Sequence, residues 1–202
     1  MATTILLARH GETDWNRERR WQGHADQHLN ALGREQARAL AAAIAPHPPQ
    51  ALYSSDFARA RETAEIVGDA LGLPVWLEPR LREVDVGEWS GLTMDEVERL
   101  YPDGLRRRRE GATGWESGET YEAMGLRVLE ALRAIASAHP SERILVVTHG
   151  GPMHAVWTAS GGPSDSRPRY ANCELAAITV ERGRIRRIDS ERGGGLHQQV
   201  QG

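Results

Sequence analysis

The sequence predicts an α/β protein of three layers, an α/β/α sandwich whose sheet is mostly parallel with one antiparallel edge strand. The first observation is that short apolar runs alternate with longer segments in which apolar residues recur every three or four positions. The second is a pair of strand-like runs around Arg182 and Gly183, which predicts a hairpin and therefore an antiparallel edge. The length of 202 residues suits a single domain.

The predicted strands are short and mostly continuous in apolar character, as expected of strands that are covered on both faces. In chain order they are Thr4–Ala8, Ala51–Ser54, Val75–Leu77, Ile144–Thr148, Leu175–Val180 and Arg184–Asp189. No internal repeat and no interdomain linker interrupts them.

The predicted helices follow from capping residues and apolar periodicity. Asn30 caps the first helix, Gly72 ends the second, and Thr93 forms a capping box with Glu96. The helices cover Ala31–Ile44, Phe57–Leu71, Thr93–Leu100 and Thr120–His139, and a further one begins near Pro152.

The segment Tyr101–Gly118 is expected to be irregular, because it combines glycines with four successive arginines. Residues 93–118 would form a cap-like insertion in a single domain of residues 1–192. Their few apolar side chains predict a loosely packed cover, in which Trp115 is the best candidate for a substrate contact. The glycine-rich tail of residues 193–202 is expected to be disordered.

Composition excludes several classes of function. The chain has no lysine, so all 25 basic side chains are arginines, and a P-loop lysine, a Schiff base and a pyridoxal-phosphate anchor are excluded. Cys173 is the only cysteine, which excludes an intramolecular disulfide and a cysteine zinc site. The formal net charge of −3 gives no basic field for a nucleic-acid partner.

The N-terminus lacks the basic region of a signal peptide, and no stretch approaches the roughly 18 apolar residues of a membrane span. A cytoplasmic protein without a membrane partner is therefore expected. His149 and His154 lie five apart, which is not the spacing of a helical zinc motif, and nearby arginines would repel a cation. Neither a metal nor another cofactor is expected.

Polar residues follow the ends of the predicted strands. Arg9 and His10 come after the first strand, His149 follows ILVVT, and Arg59 lies in the first turn of the helix after the second strand. Ligands of such sheets bind outside the carboxyl ends of the strands, so these residues are expected to meet at one edge. Two arginines and two histidines there fit a phosphate monoester, which carries a charge of about −2.

A neutral imidazole can attack phosphorus and form a phosphohistidine, while arginines stabilise the transferring oxygens. The leaving alkoxide then needs a proton, which Glu83 or Asp85 can supply. A strand-like alternation would put both carboxylates on the same face, so their spacing does not choose between them.

Five segments resemble motifs of the histidine phosphatase, or phosphoglycerate mutase-like, superfamily. They are RHGETDWN at Arg9–Asn16, WQG at Trp21–Gly23, SSDFARARETA at Ser54–Ala64, LREVDVGEWSG from Leu81, and VVTHGG at Val146–Gly151. The resemblance covers most of the chain. His24 and Asn30 depart from residues common in the family, an aromatic and a threonine, and both bear on the substrate rather than on the core chemistry.

The resemblance implies a role for each matched residue. His10 is implied to be the nucleophile and Glu83 the proton donor. The residues implied to hold the phosphoryl group are Arg9, Asn16, Arg59 and His149, and those implied to contact phosphate or substrate are Gln22, Gly23 and Gly150. Dimers are frequent in the family, so a homodimer is one assembly that the resemblance implies.

These observations predict a metal-independent phosphatase that acts on a small phosphorylated metabolite through phospho-His10. A cofactor-dependent phosphoglycerate mutase, which uses the same residues, and a phospho-ligand-binding regulatory protein are the alternatives. The run Arg106–Arg109 is either a solvated surface or supplies one or two side chains to the pocket, for a substrate carboxylate or a second phosphate.

Overall fold

A computed structural model describes residues 2–163 and 166–188 of the chain. The predicted tail of residues 193–202 and the predicted strand end at Asp189 lie outside the described residues. Among the described residues, no helix combines the length and the apolar character required to span a membrane.

A six-stranded sheet forms the middle layer, with the strand order β3-β2-β4-β1-β5-β6. The first four strands in that order are mutually parallel, whereas β5 and β6 are antiparallel to their neighbours. This arrangement confirms the predicted fold class. The strands are β1 (Thr3–Arg9), β2 (Ala51–Ser54), β3 (Val75–Leu77), β4 (Arg143–Thr148), β5 (Leu175–Glu181) and β6 (Arg184–Arg187).

Seven helices flank the sheet in the described part of the chain. They are α1 (Asp14–Arg17), α2 (Ala31–Ile44), α3 (Ala58–Leu71), α4 (Met94–Leu100), α5 (Pro102–Arg109), α6 (Tyr121–Ala138) and α7 (Gly150–Ala159). The predicted caps are present: the Asn30 side chain accepts from the Gly33 amide, Thr93 forms its capping box, and Gly72 ends α3 at a φ of 68°.

The strands β1, β2 and β4 are buried because helices cover the middle of the sheet from both sides, whereas β3, β5 and β6 are more exposed. Alternate residues of β1 point to opposite layers. Ile5 and Leu7 pack in the layer that contains α6 and α7, whereas Leu6 and Ala8 pack in the layer that contains α2 and α3. The carboxyl ends of β1 and β4 are therefore fixed from both sides, and Arg9 pairs with Thr148 at that edge.

The expectation that Tyr101–Gly118 is irregular is correct for residues 110–118 and wrong for residues 102–109, and the expectation that the segment is loosely packed is wrong. It contains α5, which begins with Pro102, a residue suited to a first helical turn. Leu105 and Trp115 are buried, and the Trp115 ring contacts that of Trp89 at 5.5 Å. Trp115 is therefore a packing residue and does not line the cavity described below.

Candidate active site

The carboxyl edge of the sheet brings four of the predicted polar residues together. His10 follows β1, His149 is the N-cap residue of α7, and Arg59 lies in the first turn of α3. The two imidazole rings are 5.1 Å apart between centroids, and Arg9 ends β1 beside them. A parallel sheet explains this meeting, because strands that are distant in sequence end at the same edge.

One ring nitrogen of His10 is hydrogen-bonded within the protein, and the other has no hydrogen-bond partner among the described residues. Its Nδ1 lies 2.7 Å from the carbonyl oxygen of Gly11. A carbonyl only accepts, so Nδ1 carries the proton and the lone pair is on Nε2. Burial, followed by the nearby charges of Arg59 and Arg9, holds the pKa of His10 well below its usual value of 6.5. The side chain is therefore neutral at physiological pH, as a nucleophile must be.

The turn that carries His10 is fixed by bonds from three directions. Its amide donates to the Thr148 carbonyl at 2.9 Å, and the Asn172 side chain donates to its carbonyl at 2.8 Å. The amide of Gly11 donates to Thr63 Oγ1 at 3.0 Å. A Cβ at Gly11 would lie 2.5 Å from a backbone oxygen of α2, so the close approach of turn and helix requires glycine.

Arg59 is almost fully buried, and its guanidinium is oriented by three acceptors. Nε donates to Nδ1 of His149 at 3.2 Å, and the two terminal nitrogens donate to the carbonyls of Ala25 and Gly23 at 2.8 and 2.9 Å. Burial lowers the pKa of Arg59 to about 10, so the side chain remains charged at neutral pH. Each terminal nitrogen has a second N–H, and Arg59 lines the cavity.

His149 lies behind Arg59 rather than on the cavity surface. Its Nδ1 accepts from Arg59, so Nε2 carries the proton and donates to Ser55 Oγ at 2.8 Å. Burial and the Arg59 charge hold the pKa of His149 well below 6.5. The resemblance implies direct contact with the phosphoryl group, but in this structure both ring nitrogens are bound within the protein, and His149 orients Arg59.

Arg9 and Asn16 present unused donors at the same place. Arg9 donates from Nη1 to the Tyr170 carbonyl at 2.7 Å, whereas its Nε is buried without a partner among the described residues. The Asn16 side-chain oxygen accepts from the amide and hydroxyl of Thr13, both at 3.1 Å, which leaves its NH₂ group for an anion. A buried donor without an acceptor, such as Arg9 Nε, is costly and favours an anionic ligand.

The substrate contacts implied for Gln22, Gly23 and Gly150 are all at the cavity wall. Gln22 is 8% exposed, and its Oε1 has no hydrogen-bond partner among the described residues. Gly23 has a φ of 48° and uses its carbonyl to accept from Arg59. Gly150 begins α7, whose N-terminus faces the cavity.

Glu83 faces the cavity and Asp85 does not line it. The Glu83 carboxylate accepts from the amides of Val84 at 2.9 Å and Gly151 at 3.1 Å. The Asp85 carboxylate accepts from the amide of Gly87 at 3.0 Å. The prediction that both share a face is wrong, because residues 82–86 do not form a strand. The spacing of Glu83 and Asp85 in the sequence did not show which carboxylate faces the cavity, and the structure shows that it is Glu83.

The cavity has a volume of about 530 Å³ and is strongly cationic. Within the described residues, six arginines and one carboxylate line it: Arg9, Arg19, Arg20, Arg59, Arg108 and Arg169, with Glu83. Arg108 is the member of the Arg106–Arg109 run that reaches it, with its guanidinium 5.1 Å from the centre of the Trp21 ring. An anion with more than one charged group matches this surface.

Three residues of the site were not singled out by the motifs. Ser55 and Thr63 lie inside the segment SSDFARARETA, where only the arginine was assigned a role, so their positions in it were the available signal. Asn172 lies in no motif, and nothing in the sequence indicates its bond to the His10 turn. Cys173 follows it, and burial raises the pKa of its thiol to about 12, which keeps it protonated.

The described residues contain no group of three or more histidine, cysteine, aspartate or glutamate side chains arranged to hold a metal ion. Positive charge at the site is instead supplied by guanidinium groups. This set of donors suits recognition of phosphate oxygens.

The chain belongs to the histidine phosphatase superfamily (branch 1), whose family model matches residues 5–189. This match confirms the resemblance seen in the sequence motifs. With the names of its relatives, it identifies an enzyme that acts on phosphate monoesters.

The relatives include both phosphatases and mutases. The uncharacterized phosphatase PhoE of Bacillus subtilis (strain 168) is 33% identical, over 87% of this chain and 88% of the relative. The probable phosphoglycerate mutase GpmB of Enterobacter sp. (strain 638) is 35% identical, over 88% of this chain and 85% of the relative. The solved structure of Bacillus stearothermophilus YhfR is 34% identical, with a TM-score of 0.82, and the match covers 92% of this chain and 95% of that one.

Proposed function

We propose that this protein is a metal-independent phosphatase that hydrolyses a small phosphate monoester through a phosphohistidine at His10. The observation that carries the proposal is the bond from His10 Nδ1 to the Gly11 carbonyl. This bond keeps the proton of the neutral imidazole on Nδ1, so that the lone pair of Nε2 is available beside the guanidinium groups of Arg59 and Arg9. The cytoplasmic location and the homodimer stay predictions.

In the first step Nε2 of His10 attacks phosphorus, and the P–N bond forms as the bond to the ester oxygen breaks. The electron pair of that bond leaves with the alkoxide, which takes a proton from the Glu83 carboxyl group. Arg59, Arg9 and Asn16 donate to the phosphoryl oxygens as charge moves across them.

In the second step a water molecule attacks the phosphohistidine. The Glu83 carboxylate, left by the first step, takes a proton from that water. The P–N bond breaks, its electron pair returns to Nε2, and inorganic phosphate leaves. Glu83 is protonated again, so the cycle needs no metal and no further reactant.

The proposed substrate carries a second anionic group. Arg108 reaches the cavity from α5, and Arg19 and Arg169 line it as well. These charges exceed what one phosphate group neutralises, so a carboxylate or a second phosphate on the substrate would occupy the outer part of the cavity.

A phosphoglycerate mutase is the second candidate, and the packing of residues 93–118 is the observation that favours it. Val97, Leu105 and Trp115 are buried, so the segment beside the cavity is well packed, and a mutase needs such a segment in order to exclude water. We favour hydrolysis because Met94 and Tyr121, which line the cavity, are still 40% and 38% exposed. A purely regulatory phospho-ligand-binding protein would not need a nucleophile and an acid in one cavity.

The first test is removal of the nucleophile. Replacing His10 with alanine is expected to abolish release of phosphate from p-nitrophenyl phosphate, because His10 is the group that takes the phosphoryl group in the proposed mechanism. The unaltered protein should form an acid-labile, base-stable phosphoenzyme, detected with ³²P-labelled substrate.

Two results would contradict the proposal. One is substantial hydrolysis by the His10→Ala protein. The other is loss of activity after exhaustive chelation, with recovery when Zn²⁺ or Mg²⁺ is added, because this would place a metal in the mechanism. The exposed His47, which lies after α2, provides a matched control: His47→Ala should retain full activity.

A further inference from the structure

Arg127, on α6, uses all five of its N–H donors within the protein. Nε and Nη2 donate to the two carboxylate oxygens of Glu119 at 2.7 and 2.6 Å. Nη1 donates to the carbonyls of Arg80 and Arg82 at 2.8 and 2.7 Å, and Nη2 also donates to that of Glu83 at 2.9 Å. One guanidinium therefore joins a carboxylate to three main-chain carbonyls of the segment that ends at Glu83.

That segment depends on side-chain donors, because it has little secondary structure of its own. After the short 3₁₀ turn Pro79–Leu81, residues 82–86 form neither helix nor strand. Thr148 Oγ1 donates to the Leu81 carbonyl at 2.8 Å, and His24 Nε2 donates to the Glu83 carbonyl at 3.0 Å. With Arg127, the carbonyls of residues 80 to 83 all have a partner, as buried backbone requires.

Glu119 is itself fixed, so it can hold Arg127 in place. Its amide donates to the Asp85 carbonyl at 2.9 Å, and its carbonyl accepts from Trp115 Nε1 at 2.9 Å. The side chains of Arg127 and Glu119 are 21% and 19% exposed, which distinguishes this two-bond pair from a solvated surface ion pair.

We propose that Arg127 and Glu119 are positioning residues for Glu83. Arg127 holds the main chain of residues 80–83, so that the Glu83 carboxylate stays at the amide of Gly151 and faces the departing oxygen. Neither Arg127 nor Glu119 lines the cavity, so they act through Glu83 and not on the substrate. The inference rests on the proposed function, in which Glu83 carries the proton.

The effect should therefore be confined to chemistry that needs a proton. A nitrophenoxide leaves without protonation, whereas a benzyl alkoxide does not. We expect Glu83→Gln to slow hydrolysis of benzyl phosphate about 100-fold more than that of p-nitrophenyl phosphate, as a lost general acid would. Arg127→Met should shift the same ratio in the same direction by about tenfold or more, with KM for both substrates nearly unchanged.

Two further substitutions test how Arg127 acts. Arg127→Lys keeps the charge but loses the planar fork and two donors, so an intermediate shift in the ratio is expected. Arg133→Met is the matched control, since Arg133 lies on the same helix and donates to one carbonyl, that of Gly183, at 3.0 Å. It should leave the ratio unchanged.

Glu119→Gln keeps the size of the side chain. It replaces Arg127→Met as the test variant if thermal unfolding shows that Arg127→Met fails to fold. It should shift the ratio in the same direction. In a protein that already carries Glu83→Gln, Glu119→Gln should change the benzyl phosphate rate by less than about twofold, because there is then no carboxylate to position.

The results separate the inference from the proposed function. If Glu83→Gln leaves the ratio unchanged, the proposed role of Glu83 fails and the inference fails with it. If Glu83→Gln shifts the ratio while the folded Arg127 and Glu119 variants slow both substrates equally, only the inference is overturned. An additive loss in the double variant would overturn it as well.

Discussion

His10 and His149 are buried histidines that folding keeps neutral. Burial and neighbouring arginines hold the pKa of each well below the 6.5 of an exposed imidazole. In the unfolded chain both take up a proton as the pH falls through 6.5, and in the folded protein neither does until a much lower pH. The unfolded state therefore binds more protons in this range, and stability must fall as the pH falls.

We predict that each of these histidines removes about 1.4 kcal/mol of folding free energy between pH 6 and pH 5. Replacing His10 with asparagine should make the loss between pH 6 and pH 5 smaller by about that amount, because asparagine does not titrate. The measurement is the free energy of unfolding from urea titrations at several pH values. His47→Asn, at an exposed position, is the control. An unchanged slope in the His10→Asn protein would show that His10 is charged in the folded state.

At the same scale, the sequence predicted which residues the structure brings together at this edge, and it did not show their hydrogen bonds. His10, Arg59 and His149 could be placed at one edge because each follows a strand or begins a helix. The position of His149 behind Arg59 depends on the Ser55 hydroxyl, which is 94 residues away in the chain. The choice of Glu83 over Asp85 likewise depends on which backbone amides reach each carboxylate, and spacing does not contain that information.

Among the elements, the strands and the long helices were predictable and α5 was not. Helices α2, α3 and α6 have caps and an apolar stripe, both of which are local signals. In α5 four of eight residues are arginines, and only Gly104 and Leu105 are buried. Its place is set by tertiary contacts: a Cβ at Gly104 would lie 2.4 Å from the carbonyl of Gly114 and 3.3 Å from the Trp89 ring. Contacts of this kind leave no periodic pattern.

The position of α5 predicts that the arginines of the run Arg106–Arg109 differ in function. Arg108 reaches the cavity and lies over Trp21, whereas Arg106 pairs with Asp103 on the surface. Arg108→Met should raise the inhibition constant of 3-phosphoglycerate, measured against p-nitrophenyl phosphate hydrolysis, by about tenfold, the scale of one charged hydrogen bond. The inhibition constant of inorganic phosphate should change by less than about twofold, since it has no second anionic group.

Arg106→Met is the matched control for that experiment and should change neither inhibition constant. Equal increases for 3-phosphoglycerate and inorganic phosphate in the Arg108 protein would place Arg108 at the phosphoryl group. The second anionic group would then have to bind elsewhere in the cavity.

Across the whole molecule, packed layers of helices and an open cavity meet at one edge of the sheet. The packed layers on both faces fix His10, Arg59 and the segment that ends at Glu83, while Met94 and Arg108 are the members of residues 93–118 that line the cavity. A volume of about 530 Å³ far exceeds the roughly 30 Å³ that one water molecule occupies in the liquid. In the proposed mechanism, water can fill the space beside phospho-His10 once the alcohol has left.

Access of water to the cavity determines whether the phosphoryl group is hydrolysed or transferred to a second substrate hydroxyl. A mutase must keep the phosphoenzyme until a second hydroxyl arrives, and an ordered cover serves that purpose only if it also closes the cavity. Residues 93–118 are ordered, yet Met94 at the cavity remains 40% exposed. Water at high concentration and an open cavity therefore favour release of inorganic phosphate.

We predict that release of phosphate from 3-phosphoglycerate outruns its conversion to 2-phosphoglycerate, and that adding 2,3-bisphosphoglycerate does not reverse this order. Both products are followed in one reaction, by phosphate assay and by coupled detection of 2-phosphoglycerate, so that the comparison does not depend on enzyme concentration. Since both reactions pass through the same phosphoenzyme in the proposed mechanism, their ratio reports only how water competes with a bound hydroxyl. Isomerisation about tenfold faster than hydrolysis corresponds to a difference of about 1.4 kcal/mol between the two barriers. That result would make the enzyme a mutase, and it would mean that residues 93–118 close over the cavity when substrate binds.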